Sequence, residues 1–569
     1  MRRHAGGILL AAALVAVVGW PSLALGWRAW AAPASPFQGA GGLARPLSLA
    51  VNTLKVVGLA EVLAVPLGVG LALLAVRTDM AGRGPLLGAL GLAILLPMPL
   101  HATAWVGALG NLGRSQALGA SPALVGWVGA GVVHALAALP WVVALAGLGL
   151  MAVEPELEES ALMDRRGASV VWKVTLRRSI GGIAASAVAV GVLTAGDMTI
   201  TDLLQVRTYA EEVYIQSHLN DDPTAAARSS LPPLLLIGGL IAWGGWRLSR
   251  GDPSRVASRW PRSRTWRLGR WRWPLGAVAG LSTAALVGFP LYASIWRAGR
   301  VGAGPGRPPA WSLPGLIRTL VAASGEMAGP LGKSALIAAG SASLATLIAW
   351  PLAWRCRRST AWRAVAVGAA TLGLATPGPL VGLAYKVAYM PYWIVKSAAD
   401  ASAALGLARP GPLVWLAERF ADLPWWVASD TPVILIMAVA ARTIPYALLA
   451  LWPAVRGLPD AYLMAAEVDG LTRSGVARRV ALPLTAGATA AAWGLAFVLG
   501  VGELPASLVV EPPGTVQLAS VRVWGLLHTG VDSRLAGVGL VCSAVVGGAG
   551  LAAAWGLGRA YRGGSSAGG

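Results

Sequence analysis

Roughly a dozen stretches of about 20 residues run apolar with hardly a charge, and that pattern restricts the fold more than any other feature. Each is long enough to cross the ~30 Å hydrocarbon core of a bilayer as a helix. Barrel strands would alternate apolar and polar residues, and these runs do not. Only 12% of the chain is charged, about half the roughly 25% of soluble domains. An all-α polytopic membrane protein of about twelve transmembrane helices is expected.

The formal net charge of +21 raises nucleic acid as a partner. The arginines fall instead in short loops between apolar spans, where the positive-inside rule expects cytoplasmic ends, and no folded basic domain is left to bind nucleic acid. The lipid bilayer is the partner that composition implies. The N-terminus has the charge and apolar run of a secretory signal, but the apolar character resumes through Leu23 to Trp30. An uncleaved first span with both chain termini in the cytoplasm is the reading adopted. Cys356 and Cys542 give neither metal spacing nor a disulfide framework.

Six spans are expected before Arg247, near residues 7–30, 47–76, 86–109, 123–151, 180–204 and 231–246. Six more follow near 274–296, 334–354, 365–389, 431–452, 485–507 and 535–557. The span at 86–109 is expected to be continuous, because Pro97 and Pro99 are tolerated inside membrane helices. Between the halves, residues 247–273 carry nine arginines interleaved with Trp260, Trp266, Trp271 and Trp273. Such a linker suits anionic headgroups, with its indoles at the interface.

Two polar loops interrupt the apolar pattern, at 154–179 and 456–484. Adding 306 to Glu158, Asp164, Val174, Leu176 and Gly196 gives Met464, Gly470, Val480, Leu482 and Gly502. Smaller echoes agree: Pro97-x-Pro99-Leu100 with Pro377-x-Pro379-Leu380, and Leu139-Pro140-Trp141 with Ile444-Pro445-Tyr446. The offset grows between these two pairs, so an insertion of about 25 residues is expected in the outside loop 391–430. The chain therefore divides into a first domain at 1–246, a basic cytoplasmic linker at 247–273 and a second domain at 274–569. With both loops on one side the repeats are parallel, unlike inverted repeats, which would place them on opposite faces.

The second loop reads Ala465-Ala466, three residues, Gly470, nine residues, Val480, Ala481, Leu482-Pro483. This spacing resembles the cytoplasmic signature of binding-protein-dependent ABC importer permeases, with Met464 where that family has glutamate. In the first loop Glu158 holds the acidic place, but Glu159 and Ser160 replace the alanines, Asp164 the glycine and Arg177 the proline after Leu176. Gly167 serves as the glycine if the register slips by three residues, so that register stays open.

The resemblance extends over most of the chain, including Gly502-Glu503-Leu504 and Pro512-Pro513-Gly514-Thr515-Val516. It points to the fused, two-domain permeases of the ferric-iron group, whose relatives serve thiamine, phosphonates and polyamines. The resemblance implies that Glu158, Glu159, Asp164, Gly167 and Leu176, and Ala465, Ala466, Glu467, Gly470, Leu482 and Pro483, dock two ABC ATPase subunits. It implies an extracytoplasmic solute-binding protein as a further partner and the cytoplasmic membrane as the location. The chain itself would be no enzyme and hold no cofactor, with ATP and Mg on the ATPases. The first loop departs further from the pattern, so two unequal ATPase contacts are expected. Iron(III) is the favoured cargo.

Acidic residues at membrane depth are suspects for function. Asp197 and Glu503 follow Gly196 and Gly502 at matching places; either they line a path or they bond the outer end of a helix. Glu61, deep in the second span, is a third candidate for the translocation path, with an interior polar contact as the alternative; Lys386, near the end of another span, suits an interior polar contact. His101, His134, His218 and His528 show no spacing for a metal pair, and no metal site is expected. Gly332-Lys333-Ser334 imitates the end of a phosphate loop, but Met327 stands where the earlier glycine belongs. Two rivals remain: a twelve-span secondary transporter, which explains the duplication but not the motif spacing, and a polytopic membrane enzyme, for which no catalytic constellation is found.

Overall fold

The computed structural model describes residues 2–31, 44–94, 96, 98–110, 121–219, 223–250, 264–301, 310–390, 394–396, 398, 399, 402, 414, 415, 418, 419, 432–511, 517–529 and 532–565. Among these, the sole β-ladder pairs Arg300–Val301 with Ala310–Trp311. Everything else regular is helix. Six helices are long and apolar enough to cross a membrane, and up to eleven spans result if each of five bent pairs counts as one. The protein is an all-α, multi-pass membrane protein. Of the twelve expected spans, the last falls on the helix Asp532–Ser565, whose side chains beyond 551 lie outside the described residues.

Burial is inverted relative to a soluble protein: Leu54, Val62 and Leu67 are exposed, while small residues face inward. Along Ala44–Arg77 the buried stripe is Val56, Ala60, Ala64, Gly68 and Ala72, one residue per turn, which lets a neighbouring backbone approach closely. That neighbour is Gly126–Met151. A Cβ on Gly68 would lie 2.5 Å from a Val142 methyl carbon, so only glycine fits there.

The spans expected at 86–109 and 365–389 are not continuous. Arg83–Ile94 meets Met98–Leu109 at 106°, and Thr360–Ala375 meets Gly378–Tyr389 at 110°. In the second break Thr376 is extended (φ −77°, ψ 119°), as the ring of the following Pro377 requires. Pro379 then sits in the first turn of the next helix, where its missing N–H costs nothing. The first break has the same Pro-x-Pro sequence, although Pro97 itself lies outside the described residues.

Each half lends its first span to the other. The N-terminal helical run packs Leu10, Leu14 and Val17 into the core built around Leu352, Ile444 and Leu451. Arg272–Gly299 packs Ala279 and Leu286 into the core around Leu90, Val143 and Leu150. A π-helical turn at Val15–Gly19 widens the first run, and π-bulges free carbonyls for other donors. The Tyr385 and Tyr389 hydroxyls donate to Val17 O and Ala16 O there.

Around the polar loops the element order recurs with an offset of 306. Gly167–Val170, the π-turn Val171–Thr175, Leu176–Arg178 and Ile180–Ala195 have counterparts in Arg473–Val476, Ala477–Ala481, Leu482–Leu484 and Ala486–Val501. In this register Gly167 opposes Arg473 and Asp164 opposes Gly470. The three-residue slip does not occur. The insertion expected at 391–430 falls largely outside the described residues.

Candidate functional site

Two features stand out: the polar loops at one end of the bundle and a cavity between the halves. The first loop begins with the helix Pro155–Asp164, opened by a proline that suits its first turn. Dense charge suggests a loop wholly in water or against another protein, and here the structure differs. Arg77 and Glu158 are both 0% exposed and paired, Thr175 also donates to Glu158, and Arg77 donates to Leu150 O at 3.2 Å. Glu158 therefore fastens the loop to the end of Ala44–Arg77 and presents no carboxylate outward.

The second loop is fastened in the same way. Arg357, 280 residues after Arg77, donates to Val455 O at 2.6 Å, and Val455 lies 305 residues after Leu150. It also reaches Leu458 O at 3.0 Å and Asp460 Oδ1 at 2.6 Å. The helix Asp460–Val468 ends differently from its counterpart. Gly470 takes φ +86°, its N–H bonds Glu467 O, and Leu471 N–H bonds Ala466 O, the paired bonds of a Schellman ending. Asp164, with no left-handed conformation, stays helical.

Of the residues expected in docking, Glu159, Asp164, Ala465, Glu467, Gly470, Leu482 and Pro483 are exposed, Gly167 and Leu176 half-buried, and Ala466 buried. Both loops also expose apolar side chains, Met163 at 86% and Val468 at 87% being the most open. In the described end of the linker Trp266 is half-buried against the first loop, while Trp271 and Trp273 stay exposed. Trp266 N–H bonds Arg77 O at 2.8 Å and Asp79 N–H bonds Trp266 O, the Trp266 ring covers Gly167, and Arg264 lies 3.7 Å from Glu159. Among the described residues this end of the linker straps the first loop.

The cavity holds about 130 Å³, enough to admit water. Residues at matching places in the two halves line it: Val192 and Val498, Leu193 and Leu499, Gly196 and Gly502, Asp197 and Glu503, Trp141 and Tyr446. Asp197 accepts from Ile200 N–H at 2.9 Å and Glu503 from Ala506 N–H at 3.0 Å, each starting a short helix, and both face the cavity.

Each acid also has a basic side chain beside it. His134 Nε2 stands 3.3 Å from Asp197 Oδ2, without a hydrogen bond's alignment, and Arg442 Nε lies 3.3 Å from Glu503 Oε2. Arg442 further donates to Thr376 O at 3.1 Å, a carbonyl freed by the helix break. His101 does the same at the first break, 3.4 Å from Ala93 O.

Compared with known proteins, the chain matches no family model and no curated protein. The functional reading therefore stands on geometry and motif spacing.

Glu61 does not line the cavity. It is half-buried, its carboxylate against Gly191 of the neighbouring span. The Gly332-Lys333-Ser334 triplet lies inside the helix Leu313–Cys356, with Lys333 paired to Glu511 at 2.8 Å, so it forms no phosphate loop. Among the described residues no three His, Cys, Asp or Glu side chains form a metal site. The His218 side chain and Pro512 to Val516 lie outside the described residues. Sequence reasoning missed Arg442, although a lone arginine within the apolar run 432–452 carries the same signal that drew attention to Glu61.

Proposed function

We propose that this chain is the fused membrane subunit of a binding-protein-dependent ABC importer. It has two parallel six-helix repeats, twelve spans in all, and lies in the cytoplasmic membrane with both termini inside. The observation that carries the reading is the conjunction of two exposed loops, built from the same four elements at an offset of 306, with a cavity lined by residues from matching places. Two ATPase subunits bind the loops, a solute-binding protein delivers cargo at the opposite end, and ATP is hydrolysed on the ATPases.

The arginine clamps make the coupling physical. A loop pushed by an ATPase pulls on Arg77 through Glu158 and on Arg357 through Asp460, and so on the two longest spans. The helix breaks, the acidic pair and Arg442 then move around the cavity as the halves rock. The Schellman ending and the strap make the two ATPase contacts unequal. Iron(III) is the favoured cargo on the fused length and the tail after Gly502; thiamine, phosphonate or polyamine would use the same architecture.

The test is uptake into proteoliposomes that contain the chain, its ATPase and its binding protein. Uptake that needs ATP and the loaded binding protein is expected. Uptake by the chain alone, driven by an ion gradient, would establish the secondary-transporter rival instead.

A further inference from the structure

At the end opposite the polar loops, the halves touch through residues from matching places. Thr53 Oγ1 accepts from Tyr209 N–H, and Ser334 Oγ accepts from Ala519 N–H, so the helices beginning at Tyr209 and Ala519 correspond with an offset of 310. That offset pairs Tyr214 with Trp524, and these two rings meet each other edge to face, 6.0 Å apart. A residue can touch its own counterpart only where it lies on the axis relating the halves. The contact therefore sits over the line that leads down to the cavity.

One turn beyond Trp524, His528 joins the halves by charge. Its Nε2 lies 2.9 Å from Asp202 Oδ2 and its Nδ1 lies 3.0 Å from Trp524 O. A carboxylate and a carbonyl only accept, and a neutral imidazole has one N–H to offer. Both contacts are hydrogen bonds only when the ring carries two protons.

We propose that Asp202 and His528, with the Tyr214–Trp524 contact, form a proton-sensitive latch: the imidazolium holds the halves together at this end, and loss of its proton releases them.

The other charges on the elements packed around the latch are engaged elsewhere. Arg522 and Arg534 pair with Glu326, Asp532 with Arg297, Lys333 with Glu511 and Arg45 with Glu212. Arg318 donates to Pro314 O, Arg355 stacks on Trp362 at the loop end, His101 faces Ala93 O, and His134 stands beside Asp197. Glu211 and Arg207 remain close to the latch; burial, with help from the Asp202 charge, pushes the Glu211 carboxyl up to about 7. The turn after Asp202 is held by Gln205 at φ +56°, a left-handed residue of the strained kind found at moving parts.

The sign follows from the surroundings. The hydrogen bond to Asp202 holds the His528 imidazole above its ordinary value, so the latch is fully closed below about pH 6.5 and is lost as pH rises through the raised value.

That this end faces the binding protein rests on the importer reading; the latch does not, and its test needs neither ATPase nor cargo. A Leu499→Cys variant places a thiol in the cavity, and an impermeant thiol reagent is added to membrane vesicles from the side of residues 199–219. Labelling is compared at equal pH between His528 and His528→Lys backgrounds, so that thiol chemistry cancels. At about pH 5.5 equal rates are expected; at about pH 8.5 the histidine protein should label several-fold faster, because only lysine keeps its charge there. His528→Ala should label fast at both. A ratio unchanged between the two pH values would overturn the latch.

Discussion

With neither Arg77 nor Glu158 exposed, removing one partner leaves the other as a buried charge without compensation. Arg77→Ala is expected to destabilise the protein by about 3–5 kcal/mol, measured as a loss of thermal stability in detergent. Arg77→Met with Glu158→Leu should recover most of it, because a buried pair gives little net stability over apolar residues of similar size. A double variant as unstable as the single one would mean that the pair is no closed unit. The sequence displays Glu158 as one charge among ten in a polar loop, and nothing in its spacing marks it as the inward one. Asp197 and Glu503 were legible because each follows a glycine at matching places. Their basic neighbours were not, because His134 and Arg442 come from non-equivalent positions one turn apart on matching helices.

At the scale of elements, the apolar runs announced a polytopic helical protein, since hydropathy reports a preference for lipid directly; six helices, or up to eleven spans with the bent pairs, are long and apolar enough to cross a membrane. Hydropathy does not report direction within the membrane. The breaks at 106° and 110° follow from Pro-x-Pro, whose tolerance in membrane helices depends on neighbours that a sequence does not display; Arg442 and His101 are those neighbours. The loop helices end according to one residue. Gly470 stands at φ +86° with open space around a Cβ, so a side chain there meets backbone strain and no clash. Gly470→Val is expected to cost roughly 1–2 kcal/mol locally. Hydrogen exchange should quicken across 460–471 while 155–166 keeps its rate. Equal quickening in both loops would show that the Schellman ending does not set the second loop apart.

For the whole molecule, the recurrence of loop, π-turn and following helix was readable from the offset of 306 because these elements keep their spacing. The exchange of first spans was not, since nothing in the apolar pattern of Gly6–Arg28 or Arg272–Gly299 says which core receives it. Each of these two runs packs into a core built mainly from the other part of the chain. On the importer reading the two exposed loops are paired docking elements for an ATPase. Site-specific crosslinking tests it most directly, from cysteines placed at Met163 and Met464 in the assembled complex. Both positions are expected to capture the ATPase, two copies per chain, with unequal yields. Capture from neither position, in a chain that still transports, would contradict it.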